Sequence, residues 1–457
     1  MAKNKKFIYY LTFIPLLIII VLFGWLFTVI FEGEKPTVSL SPLPGYVSKI
    51  QEFQVNVSDM ERGLKTLKIT CRQGNSDSVL LEKKFLFEGF LNKNGTRQYE
   101  QTLQLDPSKL KLAQGTIDLS VQVWDYSRRN GGDGNMSIIE HSMIVDTFPP
   151  SLRVISKMHN IKTGGSGLVI YRASSDTSES GVYVNDHFFK GYPITENPKE
   201  GTYLAYFALP FNIIKDAEIY LWAKDKAENT ARASFYYKIL KDRFRDDRLN
   251  ISDGFLKRVL PYFDYYGLDP ALSDVEKYVK INNELRKKDN DTLYELLKNT
   301  TPVRLWEGEW LRMKNAANMA QFADKRSYYH NGQKIDEQYH MGIDLASLAN
   351  SPIEAANNGI VVFAERNGIY GLTVVLDHGQ GLSSLYGHLS TIDVKVGDPV
   401  KKGDILGYSG QTGLAGGDHL HYSVLVHGVF VNPKEWWDPH WIQDNITRKL
   451  EQIKDAE

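Results

Sequence analysis

Residues 7–31, FIYYLTFIPLLIIIVLFGWLFTVIF, form an apolar run without a single charged side chain. In a bilayer every backbone N–H and C=O must be satisfied within the segment, so such a run can only be helical there. About 20 apolar residues suffice to cross the hydrocarbon core. Lys3, Lys5 and Lys6 precede the run, and Glu32 and Glu34 follow it. Positive charge favours the cytoplasmic side. Residues 1–6 are therefore expected to be a cytoplasmic tail, 7–31 a transmembrane helix, and the bulk of the chain to lie outside the cytoplasm. The run is longer than the apolar region of a cleaved signal peptide, and no small-residue cleavage pattern follows it, which favours an uncleaved anchor. Pro15 is tolerable inside a membrane helix.

The remaining length calls for roughly two to four domains in all. Hydrophobic residues at 42% and charged residues at 24% are ordinary for globular protein. A net charge of −1 supplies no electrostatic footprint for nucleic acid, and no such partner is expected. Cys71 is the sole cysteine, which rules out an intrachain disulfide and a thiolate metal cluster.

From 37 to 150 the pattern is β. FQVNVSD, LKTLKITCR and IDLSVQVWD alternate or run apolar between polar turns, as strands do. The segment closes on DTFPP, and Pro149 and Pro150 cannot continue a central strand. A second β segment, 151–240, offers GLVIYRAS, SGVYVND, TYLAYFALP, AEIYLWAKD and RASFYYKIL. VQVWDYSRRN and IYLWAKDKAEN echo each other at the spacing of one sandwich. Both segments resemble the immunoglobulin-like modules of bacterial surface proteins, and two β-sandwich domains are expected. Residues 241–325 change character. Ser252 and Asp253 are helix-capping types, and Leu272, Val275, Val279, Asn282 and Leu285 recur at near-helical intervals. The segment reads as a helical connector, with Trp306 and Trp310 sharing a helical face. A β-rich, glycine-rich domain follows over 326–440, and residues 441–457 are left as a C-terminal tail.

Eight of the eleven histidines lie after residue 325. HMGID places His340 and Asp344 four apart. LYGHLS carries His388. GGDHLHYSV carries His419 and His421 on a strand, where alternation points both the same way at about 6.5 Å spacing. Without usable thiols, imidazole and carboxylate are the ligands left for a zinc-type ion. Such a site needs three protein ligands and one open position. Four histidines and one aspartate exceed three, so the surplus could handle protons. Residue chemistry alone leaves open which imidazole does which. His378, in DHGQG, reads as a hairpin-turn residue.

The three clusters, together with GxHLS and VxVGDxVxKGDxLGxxGxTG, closely resemble the M23 family of zinc metallopeptidases, the lysostaphin- and LytM-like peptidoglycan endopeptidases. The likeness covers about 110 residues, 330–440. It implies a LytM-type β-rich fold in which His340, Asp344 and His421 hold Zn²⁺ while His388 and His419 form the catalytic pair, one activating water and one stabilising the oxyanion; of the two, His419 is favoured here as base. Many relatives carry Thr-Gly-Pro before the His doublet and Phe-Glu after it. Gly416, Gly417 and Asp418 stand before it here, and Tyr422 and Ser423 after it, which bears on groove shape more than on metal binding.

The resemblance implies cleavage of peptide cross-links in bacterial peptidoglycan by an inner-membrane protein facing the periplasm. The β domains would act as spacers or bind a cell-wall or division protein. Two alternatives remain: a scaffold that activates an amidase, and a metallopeptidase with a protein substrate.

Overall fold

The computed structural model describes residues 2–194, 201–213 and 217–455. The chain divides into two compact units, Met1–Pro149 with Lys226–Asn229, and Pro150–Asp225 with Thr230–Glu457.

In the first unit Ala2–Ile30 is one helix with Pro15 inside it. Its stretch from Leu11 to Ile30 is long and apolar enough to cross a membrane, and none of it is buried against the rest of the chain. An all-round apolar helix left uncovered is suited to lipid rather than water. Beyond it, Thr37–Ser41, Gln51–Ser58 and Gln98–Leu105 pair into a three-stranded sheet. Five strands, ordered Tyr46–Val47, Met136–Val145, Gly115–Asp125, Leu64–Gln73 and Ser76–Lys84, make a second sheet. Phe53, Val55 and Val57 alternate with exposed residues along their strand. They meet Leu67, Ile69 and Val121 of the second sheet in one core. The result is a β-sandwich, and Cys71 packs in it as a buried small apolar residue.

The second unit opens with two four-stranded sheets over residues 152–234. Along Ser166–Ala173, Leu168, Val169, Ile170 and Tyr171 are all fully buried. A continuous apolar run of this kind marks a strand covered on both faces. Part of that cover is the C-terminus. Gln443–Thr447 and Arg448–Asp455 continue the helix begun at Pro439–Ile442, and Ile442, Ile446, Lys449 and Ile453 are buried. Lys449 Nζ donates to the Leu168 carbonyl at 2.9 Å. The expected tail is therefore a packed helix, because its buried residues recur at helical i, i+4, i+7 and i+11 intervals.

Residues 241–325 are helical only in their centre, where Asp253–Val259 runs on into a 3₁₀ helix at Leu260–Tyr266, and Asp274–Lys280 and Arg286–Leu296 are joined by a π-helical turn at Ile281–Leu285. Ser252 caps the first by accepting from the Phe255 N–H, and Ser273 with Glu276 forms a capping box on the second. Asp246–Asn250 pairs in parallel with Lys325–His330. Trp306 and Trp310 do not share a helix as expected; their segment is irregular. Both are buried against Trp436, with ring centroids 5.5 and 5.0 Å away. Pro302 and Gly308 interrupt the segment, and aromatic burial rather than backbone periodicity sets the spacing.

The C-terminal sheet runs in the order Ala317–Ala320, Ile343–Ala346, Leu420–Val426, Leu382–Ile392, Leu372–Gly379, Gly359–Arg366, Pro399–Val400. Leu420–Val426 is buried throughout and Leu372–Gly379 everywhere but at half-buried Leu372. His378 is not in a turn but near the end of Leu372–Gly379. It is fully buried, with Nδ1 2.6 Å from the Asn358 carbonyl and Nε2 2.7 Å from Ser384 Oγ. Burial pushes it down to about 4, so it packs as a neutral ring.

Candidate metal centre

Strand pairing assembles the centre. Asp344 is the cross-strand partner of His421, and Gly387 is the partner of His421 on its other side. Side chains of paired residues project from the same face. Asp344 and His421 therefore meet at the middle of the sheet, with His419 two residues along on the same face. His340 enters from the turn before Ile343. Gly342 makes that turn possible, since a Cβ there would lie 2.6 Å from the Tyr422 carbonyl and 2.7 Å from His421 Nε2.

His388 breaks the alternation. A regular strand would send it to the face opposite Gly387. Its backbone instead adopts φ +63°, a left-handed conformation rare outside glycine and concentrated at functional sites. The ring lies 4.8 Å from that of His419 and 5.7 Å from that of His421, centroid to centroid.

Three potential ligand atoms converge. His340 Nε2 and His421 Nδ1 are 3.0 Å apart, and each is 2.9 Å from Asp344 Oδ1. The protons are elsewhere. His340 Nδ1 lies 2.9 Å from the Gln321 carbonyl, which can only accept, so that nitrogen carries the hydrogen. Ser423 Oγ donates to the Met341 carbonyl and is therefore free to accept from His421 Nε2, 3.1 Å away. Burial holds His340 below the usual imidazole range and pushes His421 down to about 4. Both rings are then neutral at pH 7, and each points a lone pair at a carboxylate oxygen. Three acceptors this close repel one another unless a cation sits among them. The donor set fits one: two imidazoles and a carboxylate suit a first-row divalent ion better than oxygen-seeking Ca²⁺ or Mg²⁺. His340, Asp344 and His421 are all buried.

Asp344 is held from its far side by Arg326, whose Nη2 donates to Oδ2 at 2.9 Å. Burial alone would raise the Asp344 carboxyl, but His340, His419 and His421, which take up protons before it as pH falls, outweigh burial and hold it well below the usual range. Burial would likewise lower the Arg326 guanidinium, and Asp344 reverses this. The ion pair leaves one carboxylate oxygen, Oδ1, for the centre.

His388 and His419 are oriented alike. His388 Nδ1 donates to the Thr412 carbonyl and His419 Nδ1 to the Gly417 carbonyl, both at 2.8 Å. Each is left with Nε2 for proton exchange. His419 Nε2 lies 3.6 Å from Asp344 Oδ1. Burial lowers His419, and Asp344 more than offsets it, so the net shift is upward. His388, buried beside two other rings, is driven well below the usual range.

A cavity of about 450 Å³ opens beside the centre, with Asp344, His419 and Arg326 in its wall. Its other wall is the helical segment, through Phe255, Tyr278 and Arg286. Asp289 and Asn290 dock that segment, accepting from the Ile369 N–H at 2.8 Å and the Tyr370 hydroxyl at 2.7 Å. The Tyr370 ring in turn lies 5.3 Å from that of His421.

The structure thus brings His340, Asp344 and His421 into one cluster and sets His388 and His419 beside it. Arg326 and Ser423 touch this cluster, and the sequence reading gave neither a place in it. Ser423 had a signal, being two residues past His421 on the same strand face. Arg326 had none, since it sits on a strand of a different sheet.

Residues 338–433 match the sequence model of peptidase family M23. The DD-carboxypeptidase/endopeptidase Mpg of Neisseria meningitidis serogroup B is 39% identical over 94 residues, 21% of this chain and 22% of that protein. The peptidoglycan DD-endopeptidase ShyA of Vibrio cholerae is 40% identical over 93 residues, 20% of this chain and 22% of that one. The chain thus spans about a fifth of the length of these curated relatives. Among solved structures, the catalytic domain of the antimicrobial peptidase lysostaphin from Staphylococcus simulans is 28% identical. It covers 29% of this chain and 98% of its own, with a TM-score of 0.25.

Proposed function

From the premise that the chain carries a C-terminal M23 peptidase domain, we propose that it is a zinc-dependent endopeptidase hydrolysing the peptide cross-links of bacterial peptidoglycan. The observation that carries this reading is the convergence of three proton-free donor atoms, His340 Nε2, His421 Nδ1 and Asp344 Oδ1, beside two further imidazoles. When bound there, zinc would lower the pKa of a water to about 7 and polarise the scissile carbonyl.

The remaining chemistry belongs to the two neighbouring rings. His419, with Nε2 3.6 Å from the ligand oxygen, takes the proton of the attacking water and passes it to the leaving amine. His388, its Nδ1 held by the Thr412 carbonyl, would donate from Nε2, once that nitrogen is protonated, to the oxygen on which charge develops. Aimed donors of this kind contribute on the order of 3 kcal/mol to an acyl-transfer barrier.

The apolar helix anchors the chain in the inner membrane, with the bulk of the chain in the periplasm. The lysines ahead of the helix and the lack of charge within it support this topology. The β modules act as a spacer between bilayer and wall, and offer surfaces for a cell-wall or division partner.

The test is digestion of cross-linked muropeptide dimers by the detergent-purified full chain, followed by chromatography. Dimers should be converted to monomers, and His421→Ala or chelation should abolish this. Binding of wall without cleavage, with stimulation of a separate amidase, would replace the reading with a scaffold role. Cleavage of protein but not of muropeptides would replace the substrate. A topology reporter fused at residue 40 should be active only outside the cytoplasm.

A further inference from the structure

Four large apolar side chains of the first unit stand in solvent at one end of its sandwich: Met60 at 67% exposure, Leu86 at 74%, Phe87 at 51% and Phe90 at 76%. Three lie in the loop between Ser76–Lys84 and Gln98–Leu105 and one between Gln51–Ser58 and Leu64–Gln73. Scattered exposed apolar residues are ordinary, but a cluster of this size marks a contact surface.

The loop is not loose. Fully buried Asn92 pins it, accepting from the Glu88 N–H at 2.8 Å and donating to the Arg62 carbonyl at 2.7 Å. Arg62 Nη1 returns to the Leu91 carbonyl at 2.8 Å. Tyr126 Oη donates to the Phe85 carbonyl, and the Phe87 and Tyr126 rings meet edge to face at 5.2 Å. The apolar side chains are therefore held outward by a hydrogen-bonded frame, although a hydrophobic core lies just behind Phe85.

The same end receives the apolar helix. The segment after Tyr126 binds the helix exit: the Arg128 N–H donates to the Ile30 carbonyl at 2.9 Å, and Ser127 Oγ to the Glu32 carbonyl at 2.8 Å. Arg129 Nε donates to the Phe31 carbonyl at 2.7 Å. Tyr126 thus touches the apolar loop while its next neighbours grip the end of the helix.

We propose that this end of the sandwich rests on the outer face of the bilayer, with Leu86, Phe87, Phe90 and Met60 inserted into its interfacial layer beside the helix. The inference rests on residues 7–31 spanning the membrane. It adds a second contact that fixes the tilt of the sandwich over the lipid, where the helix alone would leave it free to swing. Glu61, Glu88 and Asp133 are exposed at this end together with Lys93, Arg128 and Arg129. Mixed charge of that kind gives no preference for anionic headgroups, so apolar insertion is the driving term and zwitterionic lipid suffices.

The test uses the full chain reconstituted in phosphatidylcholine vesicles, with an environment-sensitive fluorophore on single cysteines. The positions are Leu86→Cys, Phe90→Cys, Leu17→Cys in the helix and Asn75→Cys at the far hairpin. Native Cys71 is 1% exposed and stays unlabelled in the folded protein. A Cys71→Ser background gives the same comparison. Quenchers on the lipid chains should quench positions 86 and 90 from a shallow depth, several-fold more than position 75, and position 17 from a greater depth. Probes at 86 and 90 as unquenched as the one at 75, with position 17 quenched, would overturn the inference and leave the span standing. Blue-shifted but unquenched probes at 86 and 90 would assign the patch to a protein surface and also overturn it. An unquenched position 17 would overturn the span and the inference with it.

Discussion

Arg326 offers the sharpest test of how the centre is held. Its Nη2 donates to Asp344 Oδ2 at 2.9 Å, between side chains only 19% and 11% exposed. Arg326→Gln removes the charge and leaves Oδ2 without its fixed partner, so the carboxylate is free to rotate away from His340 and His421. A charge-assisted hydrogen bond is worth about 1.5–3 kcal/mol, which at about 1.4 kcal/mol per decade is a factor of roughly 10 to 150. Outer-shell partners of metal ligands typically contribute about 10–100-fold to metal affinity, and the two figures agree. Zinc affinity measured by competition with a chelator of known strength should therefore fall 10- to 100-fold. Arg326→Lys, keeping charge but losing the planar fork, should fall in between. At saturating zinc both variants should regain most of their turnover, since His388 and His419 are untouched. A dissociation constant within about twofold of wild type, in a variant of unchanged Tm, would refute the reasoning.

Three further outcomes follow from particular residues. His388→Ala and His419→Ala should each lower kcat by about 10²–10⁴-fold with zinc content unchanged, whereas His421→Ala should lose the metal; elemental analysis beside the muropeptide assay separates the two classes. Burial pushes Glu435 from 4.5 up to about 7, so the folded chain keeps a proton that the unfolded chain releases. The stability this gives is full below about pH 4.5 and is lost as pH rises through 7, about 3 kcal/mol in all. Glu435→Gln should abolish that decline in urea denaturation at pH 5 and 8, and parallel pH profiles for the two proteins would contradict it. Trp436, fully buried against Trp306 and Trp310, should cost about 3–5 kcal/mol on replacement by alanine, read as a lower urea midpoint.

The site residues were legible because their chemistry is rare and their spacing local. His340 and Asp344 sit four apart across one turn, and His419 and His421 share a strand face, so a short stretch of sequence carries each pair's geometry. What brings the pairs together is cross-strand register, which no local pattern encodes. His388 shows the limit most plainly: its ring reaches the centre through a left-handed backbone, φ +63°, that strand periodicity would deny. Arg326 was invisible because its role arises from an approach between two sheets. The tryptophans at 306 and 310 suggested a helix by spacing alone, while the structure uses them as one aromatic cluster with Trp436. The C-terminal helix does not stand out in the sequence although its buried residues keep a helical interval. Its length fell short of what a periodic stripe usually needs to stand out from a polar tail. In the β modules the turns and alternation were readable, but the Ser166–Ala173 strand, buried at every position except half-buried Arg172, shows cover on both faces that an isolated sandwich would not need.

The central claim is that two imidazoles and one carboxylate of this chain grip a single zinc ion. The most direct measurement is an anomalous difference map from crystals of the zinc-loaded protein, recorded on both sides of the zinc edge. The account predicts one strong peak bonded to His340 Nε2, His421 Nδ1 and Asp344 Oδ1, which disappears in His421→Ala crystals. A map with no peak among those three atoms, or with zinc held by other side chains, would contradict it.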